Sequence, residues 1–208
     1  QVGARHLLIT HAHMDHASGL PYLLSQKNMH GQKETNVYVP EAFAEPLEQI
    51  IKIWQSVDGH QYDYRLVAAR PGELYELDRL FCVRPFATPH RIPSQGYLLY
   101  QKKRRLRSEY RNSSSIEIVE ARKQGIDPSE AFLDPMVAFT GDTKREFLSS
   151  NPEIASAKIL FLEVTFWDEA KPVDHARSWG HLHFDELLSL LPELKNERIV
   201  LIHASIRY

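Results

Sequence analysis

The stretch His6-Leu7-Leu8-Ile9-Thr10-His11-Ala12-His13-Met14-Asp15-His16 runs from an apolar segment of strand length straight into four potential metal ligands. An apolar strand is buried, so the residues after it occupy the loop that leaves its C-terminal end. Side chains of extended backbone alternate with a period of two, so His11 and His13 point the same way and can share one metal ion. Asp15 and His16 begin the next turn and point elsewhere, which suits a second ion close by. Imidazole and carboxylate donors without a thiolate favour Zn(II), with Mn(II) or Fe(II) as alternatives. A lone histidine is most often an ordinary surface or core residue. Four ligand types directly behind a buried strand are not explained that way.

Two coordination shells need more donors, and three further segments repeat the same local grammar of apolar strand followed by ligand. His90 closes Arg84-Pro85-Phe86-Ala87-Thr88-Pro89-His90, Asp142 follows Val137-Ala138-Phe139-Thr140-Gly141, and His203 ends Arg198-Ile199-Val200-Leu201-Ile202-His203. Gly141 permits a close backbone approach just before Asp142. Taken singly, a strand-terminal His or Asp is usually a turn residue. In series they form a set.

Outward from these motifs, strand-length apolar runs recur at Arg5–Thr10, Asn36–Val39, Phe81–Ala87, Gly96–Tyr100, Met136–Thr140, Lys158–Glu163 and Arg198–His203. Helical spacing is read over Ser18–Met29, over Glu41–Gln55 with Phe43, Leu47, Ile50, Ile51 and Trp54 on one face, and over Phe184–Leu191; Asp127-Pro128-Ser129 reads as a helix start. Strands and helices mixed in this way predict an α/β or α+β layered fold. The segment Lys102–Ser115 is basic and then polar, without a core-facing period, and is expected to be an exposed basic loop or arm.

With 208 residues, 43% hydrophobic and 25% charged, the chain has the make-up of one globular domain spanning 1–208. A formal net charge of -2 gives no global pull toward nucleic acid or membrane, and no apolar run approaches the roughly 20 residues of a membrane span. The single Cys82 excludes an internal disulfide and a cysteine-built zinc site, and fits a cytoplasmic or other reducing compartment. Eleven histidines are many for this length. The chain starts at Gln1 rather than Met and stops five residues after His203, so a fragment lacking strands ahead of the first metal motif is expected.

The set His11, His13, Asp15, His16, His90, Asp142 and His203 resembles the metallo-β-lactamase superfamily, and within it the ribonuclease Z family, endonucleases that trim tRNA precursors at the 3′ end. Phe139-Thr140-Gly141-Asp142-Thr143 is similar to that family's strand-to-aspartate motif, and Leu162-Glu163-Val164-Thr165-Phe166 to its glutamate motif, with Leu162 replacing the usual histidine. Gly180-His181 is similar to its Gly-His-Ser-Thr segment, with Leu182 and His183 in place of the hydroxyl residues. Leu201-Ile202-His203-Ala204-Ser205-Ile206-Arg207-Tyr208 looks like its last ligand strand and polar tail. The resemblance implies an αββα sandwich of two mixed β-sheets flanked by helices, with the metals at one edge. It further implies His11, His13 and His90 on one metal ion, Asp15, His16 and His203 on the other, and Asp142 bridging. A homodimer and a protruding tRNA-binding arm between His90 and Asp142 belong to the same expectation.

Chemistry assigns Asp15 a second role, orienting the nucleophile, and makes Glu163 with His181 the candidate acid pair, the carboxylate holding the imidazole's tautomer. His183 competes with His181, and His175 more weakly; His6, His30 and His60 read as structural or surface residues. Lys102, Lys103, Arg104, Arg105 and Arg107, with Arg111 and Tyr110 interleaved, are the expected RNA contacts. A dinuclear-zinc phosphodiesterase or endoribonuclease acting on RNA is therefore expected. The alternatives are a metallohydrolase of a lactone or thioester, a phosphodiesterase for a small non-tRNA substrate, and a non-catalytic RNA-binding relative.

Overall fold

A computed structural model describes residues 3–32 and 34–205. Ile206, Arg207 and Tyr208 of the expected polar tail lie outside the described residues. The chain order is β1 (His6–Leu8), α1 (Met14–Ala17), α2 (Gly19–Met29), β2 (Thr35–Pro40), α3 (Glu41–Asp58), β3 (Tyr64–Ala69), β4 (Tyr75–Glu76), β5 (Phe81–Ala87), β6 (Gln95–Leu106), α4 (Ser115–Lys123), β7 (Ser129–Phe139), α5 (Phe147–Ser150), β8 (Ile159–Glu163), α6 (Val173–Trp179), α7 (Phe184–Leu190) and β9 (Arg198–Ile202). They form a three-stranded sheet, β1-β2-β3, and a six-stranded sheet, β4-β5-β6-β7-β8-β9. The first is parallel throughout, with helices as its crossovers. The second is antiparallel from β4 to β7 and parallel from β7 to β9.

Side-chain alternation along the strands sorts the core into layers. Val37 and Val39 of β2 pack with Leu24, Leu47 and Ile51 of the first helical layer. Tyr38, one residue out of phase, turns to the other side and meets Ala69, Val83 and Tyr97 between the two sheets. Cys82, Phe86, Leu98 and Leu160 face outward from the second sheet onto Phe147, Leu187 and Leu190. Helix, sheet, sheet, helix is the αββα sandwich that the resemblance implied. Of the apolar face read on α3, Leu47 and Ile51 are buried, whereas Ile50 and Trp54 remain about half exposed. They flank a stripe too narrow to cover all five residues.

Two expectations need correction. The basic segment beginning at Lys102 is not a loop: Lys102–Leu106 continue β6, paired with Leu133–Ser129 of β7. β5 begins with Phe81 opposite Gln101, so beyond that point β6 and β7 continue as a two-stranded ribbon. The ribbon carries a 3-10 turn at Ser108–Tyr110 and α4, which opens on a capping box between Ser114 and Glu117. Carboxylates hold its basic side chains: Lys102 pairs with Glu76, Lys103 with Asp134, Arg104 with Asp127, and Arg105 with Glu130. The second correction concerns Asp127-Pro128-Ser129, which starts β7 rather than a helix. Asp127 Oδ1 accepts the Ser129 N–H at 3.0 Å. A carboxylate that captures an N–H two residues on serves a turn as readily as a helix cap.

Candidate metal centre

β5 and β7 both run antiparallel to β6, and β8 and β9 run parallel to β7, so the C-terminal ends of these four strands share one edge. His90, Asp142, Glu163 and His203 all lie there. Across from them β1 delivers His11 and His13, and α1 starts at once with His13 as its N-cap. Asp15 falls in the first helical turn, where the helix dipole favours an anion.

The expected ligands converge. His11 Nε2 lies 3.1 Å from His13 Nδ1 and 3.6 Å from Asp142 Oδ2. His90 Nε2 lies 3.3 Å from His13 Nδ1 and 4.0 Å from Asp142 Oδ2. On the other side of Asp142, His16 Nε2 is 3.3 Å from His203 Nε2, 3.4 Å from Asp15 Oδ2 and 3.4 Å from Asp142 Oδ2. His203 Nε2 is 3.5 Å from Asp142 Oδ1. Three overlapping groups could each hold a metal ion: His11, His13, His90 and Asp142; Asp15, His16 and His203; Asp142, His181 and His203.

The donor chemistry fits divalent cations. Neutral imidazoles that point lone pairs at one another gain nothing unless something cationic stands between them. Asp142 is 2% exposed, and its Oδ1 has no hydrogen-bond partner among the described residues. A buried bare carboxylate oxygen is costly, and a cation compensates it. Burial pushes the His11 imidazole down to about 3 despite the nearby Asp142, and burial also lowers His13 and His90, so all three favour the neutral, ligating form. Hydrogen bonding to Asp142 raises His16. Burial pushes Asp142 upward, yet the His16 hydrogen bond and the neighbouring imidazoles outweigh it and hold the carboxyl below the usual range.

A second layer of contacts orients the rings. Nδ1 of His11 meets Thr10 Oγ1 at 3.1 Å, Nδ1 of His90 donates to the Gly180 carbonyl at 2.8 Å, and Nδ1 of His203 meets Thr165 Oγ1 at 2.8 Å. Each ring then presents Nε2 to the centre. Gly180 is in the left-handed region at φ +81°, and a Cβ there would sit 2.7 Å from His90 Nδ1. Gly141, at φ +60°, would drive a Cβ into Thr10. His203 adopts φ 62° without being glycine, a strained backbone at the end of its strand.

The structure also brings Glu163 and His181 together. Glu163 is fully buried; its Oε1 accepts from His181 Nδ1 at 3.0 Å, the Thr143 N–H at 3.0 Å and the Leu182 N–H at 3.2 Å. Its Oε2 accepts the Thr165 hydroxyl at 2.8 Å. His183, the expected competitor, is 2% exposed: Nδ1 accepts the Asp185 N–H to cap α7, and Nε2 donates to Asp168 O. Both its nitrogens are engaged away from the centre. His6 contacts Tyr38, and His30 and His60 are exposed. Leu162, which stands where the family has histidine, alternates with Glu163 and is buried in the outer core. Lys102, Lys103, Arg104, Arg105 and Arg107 run along the ribbon, whose base lies at the opposite end of the sheet from the ligand edge. Sequence reading quoted Thr143, Thr165 and Gly180 within motifs, and Thr10 at a strand's end, but gave none of them a role. For Thr165 a signal existed: it lies two residues beyond Glu163, on the same face of an extended segment.

The profile of the Beta-lactamase superfamily domain matches residues 2–204. A chloroplastic tRNase Z of Arabidopsis thaliana is 34% identical over 204 residues, covering 97% of this chain and 58% of that protein. A second tRNase Z of the same plant is 35% identical over 204 residues, covering 97% of this chain and 73% of that one. The chain thus spans less than two thirds of the first relative's length. The crystal structure of human tRNase Z, short form, superposes with a TM-score of 0.67 at 22% identity, covering 100% of this chain and 75% of that one; the fold is shared.

Proposed function

The chain belongs to the β-lactamase superfamily, and from that membership we propose that it is a metal-dependent endoribonuclease of the tRNase Z kind, cleaving a phosphodiester at the 3′ side of tRNA precursors. The observation that carries this reading is the buried Glu163 carboxylate, saturated by four donors, holding His181 at the edge of the ligand cluster. Breaking a phosphodiester requires a proton for the departing ribose oxygen. His181 gives its Nδ1–H to Glu163, which leaves Nε2 to carry that proton. The likeness to two tRNase Z proteins across 97% of the chain supports the same substrate.

In this reading two ions would be held, one by His11, His13 and His90 and one by Asp15, His16 and His203, with Asp142 within reach of both. Zinc suits the nitrogen-rich donors best, and manganese or iron would also be accepted. Divalent ions in such a set supply Lewis acidity toward the phosphodiester and lower the pKa of water at the site. Asp15, 72% exposed at its side chain, stands at the mouth of the cluster, where it can orient the attacking water. RNA is engaged by Arg107 and Arg111 near the ribbon's tip, and by Lys102, Arg104 and Arg105 where phosphate displaces their exposed carboxylate partners, since such surface pairs are weak. Lys103, held by the partly buried Asp134, contributes its charge without leaving that partner. A homodimer is the proposed assembly, to be read by sedimentation.

Metal-loaded protein offered a tRNA precursor, an aryl phosphodiester and a lactone tests the function. Cleavage of the precursor near its 3′ end is expected; lactone turnover alone would sink the proposal. His181→Ala should abolish cleavage with metal content unchanged, and loss of metal would reassign His181 as a ligand.

A further inference from the structure

Between the segment after β8, helix α6 and the chain leaving β9 lies a cavity of about 300 Å³ lined by Phe166, Lys171, His175, Trp179 and Ser205. The metal cluster and the Glu163 network use none of these side chains, yet the cavity adjoins both. The Phe166 ring lies 6.1 Å from that of His181 and 5.3 Å from that of His175, nearly perpendicular to the latter. His175 in turn lies 6.1 Å from Trp179. Ser205 stands two residues past His203, and its backbone N–H donates to Thr165 O, which fixes that wall to the centre. α6 anchors itself by burying Ala176, and it leaves the Trp179 indole 46% exposed. The Arg91 guanidinium lies 4.4 Å from the indole centroid, and Arg91 directly follows His90.

A half-exposed indole with a guanidinium over its ring, beside two half-buried rings and a lysine, matches a ligand that is flat, π-faced and anionic. A nucleotide has these properties together: its base stacks on aromatic faces and its phosphate takes a cation. Position narrows the choice. One ring, Phe166, separates His181 from the cavity, so a nucleotide whose phosphate sits at the metal cluster reaches the cavity with its own base. We propose that this cavity is a base-binding subsite for the nucleotide adjoining the cleaved bond, formed by Phe166, His175 and Trp179, with Lys171 toward the backbone. The inference rests on RNA being the substrate.

Tryptophan emission of the metal-loaded protein and of Trp179→Leu, titrated with a ribodinucleotide and separately with ribose 5-phosphate, tests the subsite. A saturable response to the dinucleotide alone is expected, about tenfold weaker in the variant, the scale of one base stacked on one ring. In parallel, tRNA precursors made abasic at each position flanking the cleaved bond are assayed. At one position, base removal and Trp179→Leu should each raise KM about tenfold, and the pair together no more than either alone. Equal responses to both probes, or multiplying effects at every position, overturn the subsite and leave RNA cleavage standing. A dinucleotide response without any RNA cleavage keeps the base-binding cavity and removes the proposed function; absence of both removes both. Should Trp179→Leu not fold, His175→Ala, on the same helix and lining the same cavity, takes its place.

Discussion

Thr165 has one hydroxyl proton, and it goes to Glu163 Oε2, which leaves the oxygen's lone pairs facing the Nδ1–H of His203. One oxygen thereby joins the proposed acid pair to a proposed ligand and fixes which nitrogen of His203 faces the cluster. Thr165→Val keeps the shape and deletes the link, so metal affinity should fall about tenfold to a hundredfold in chelator competition, with Thr165→Ser restoring it. Gly180 acts by having no side chain. Gly180→Ala would force a Cβ to within 2.7 Å of His90 Nδ1 at a φ that L residues avoid. Denaturant titration should register a loss of at least about 1–2 kcal/mol from the left-handed backbone alone, and metal content should drop as His90 turns.

Elements matter here by where they stop. Four strands of one sheet end at a common edge, and each hands a side chain to the centre from its end or the loop that follows. The same alternation explains Leu162: with Glu163 turned to the site, its predecessor must face the core, so a histidine at that position would be buried among Leu160, Leu187 and Leu190 rather than at the metals. The β6–β7 ribbon obeys the opposite geometry. From the Tyr97–Phe139 pair near the ligand edge, β6 and β7 run about ten residues, ~30 Å, to the Leu106–Ser129 pair in the ribbon. Between residues 102 and 134 eight basic side chains face six acidic ones, so ionic attraction there depends on a few groups. Arg107→Ala combined with Arg111→Ala should weaken RNA binding and flatten its dependence on log salt, by about one unit for each phosphate that the variant no longer neutralises. An unchanged slope would take the ribbon out of RNA binding.

On the scale of the molecule, the centre is a seam. His11, His13, Asp15 and His16 come from the three-stranded sheet and its first helix, whereas His90, Asp142 and His203 come from the six-stranded sheet. Ions held by both groups, as proposed, would clamp the two halves together across the inter-sheet core. Stripping metal with a chelator should lower the melting temperature, and restoring zinc should recover it; at a hundredfold excess over Kd, binding contributes roughly 3 kcal/mol. No helix among the described residues is long and apolar enough to cross a membrane.

The proposed ligands and the layered fold were legible in the chain because each depends on short-range rules, the strand period and a ligand at a strand's end, whereas Glu163 and His181 came from the resemblance to ribonuclease Z. The β6–β7 ribbon was not, since Lys102–Leu106 become strand by pairing with Ser129–Leu133, more than twenty residues away in the chain, and no local pattern in the basic run announces that partner. Nor was the choice of His181 over His183, which turns on a helix cap and a backbone carbonyl that together occupy both nitrogens of His183. The opening stretch illustrates the division. His11, His13, Asp15 and His16 follow their strand by sequence alone, and local backbone geometry sets their directions. That His90, Asp142 and His203 meet them within a few ångströms is decided by the packing of two sheets face to face, a long-range outcome no local pattern contains.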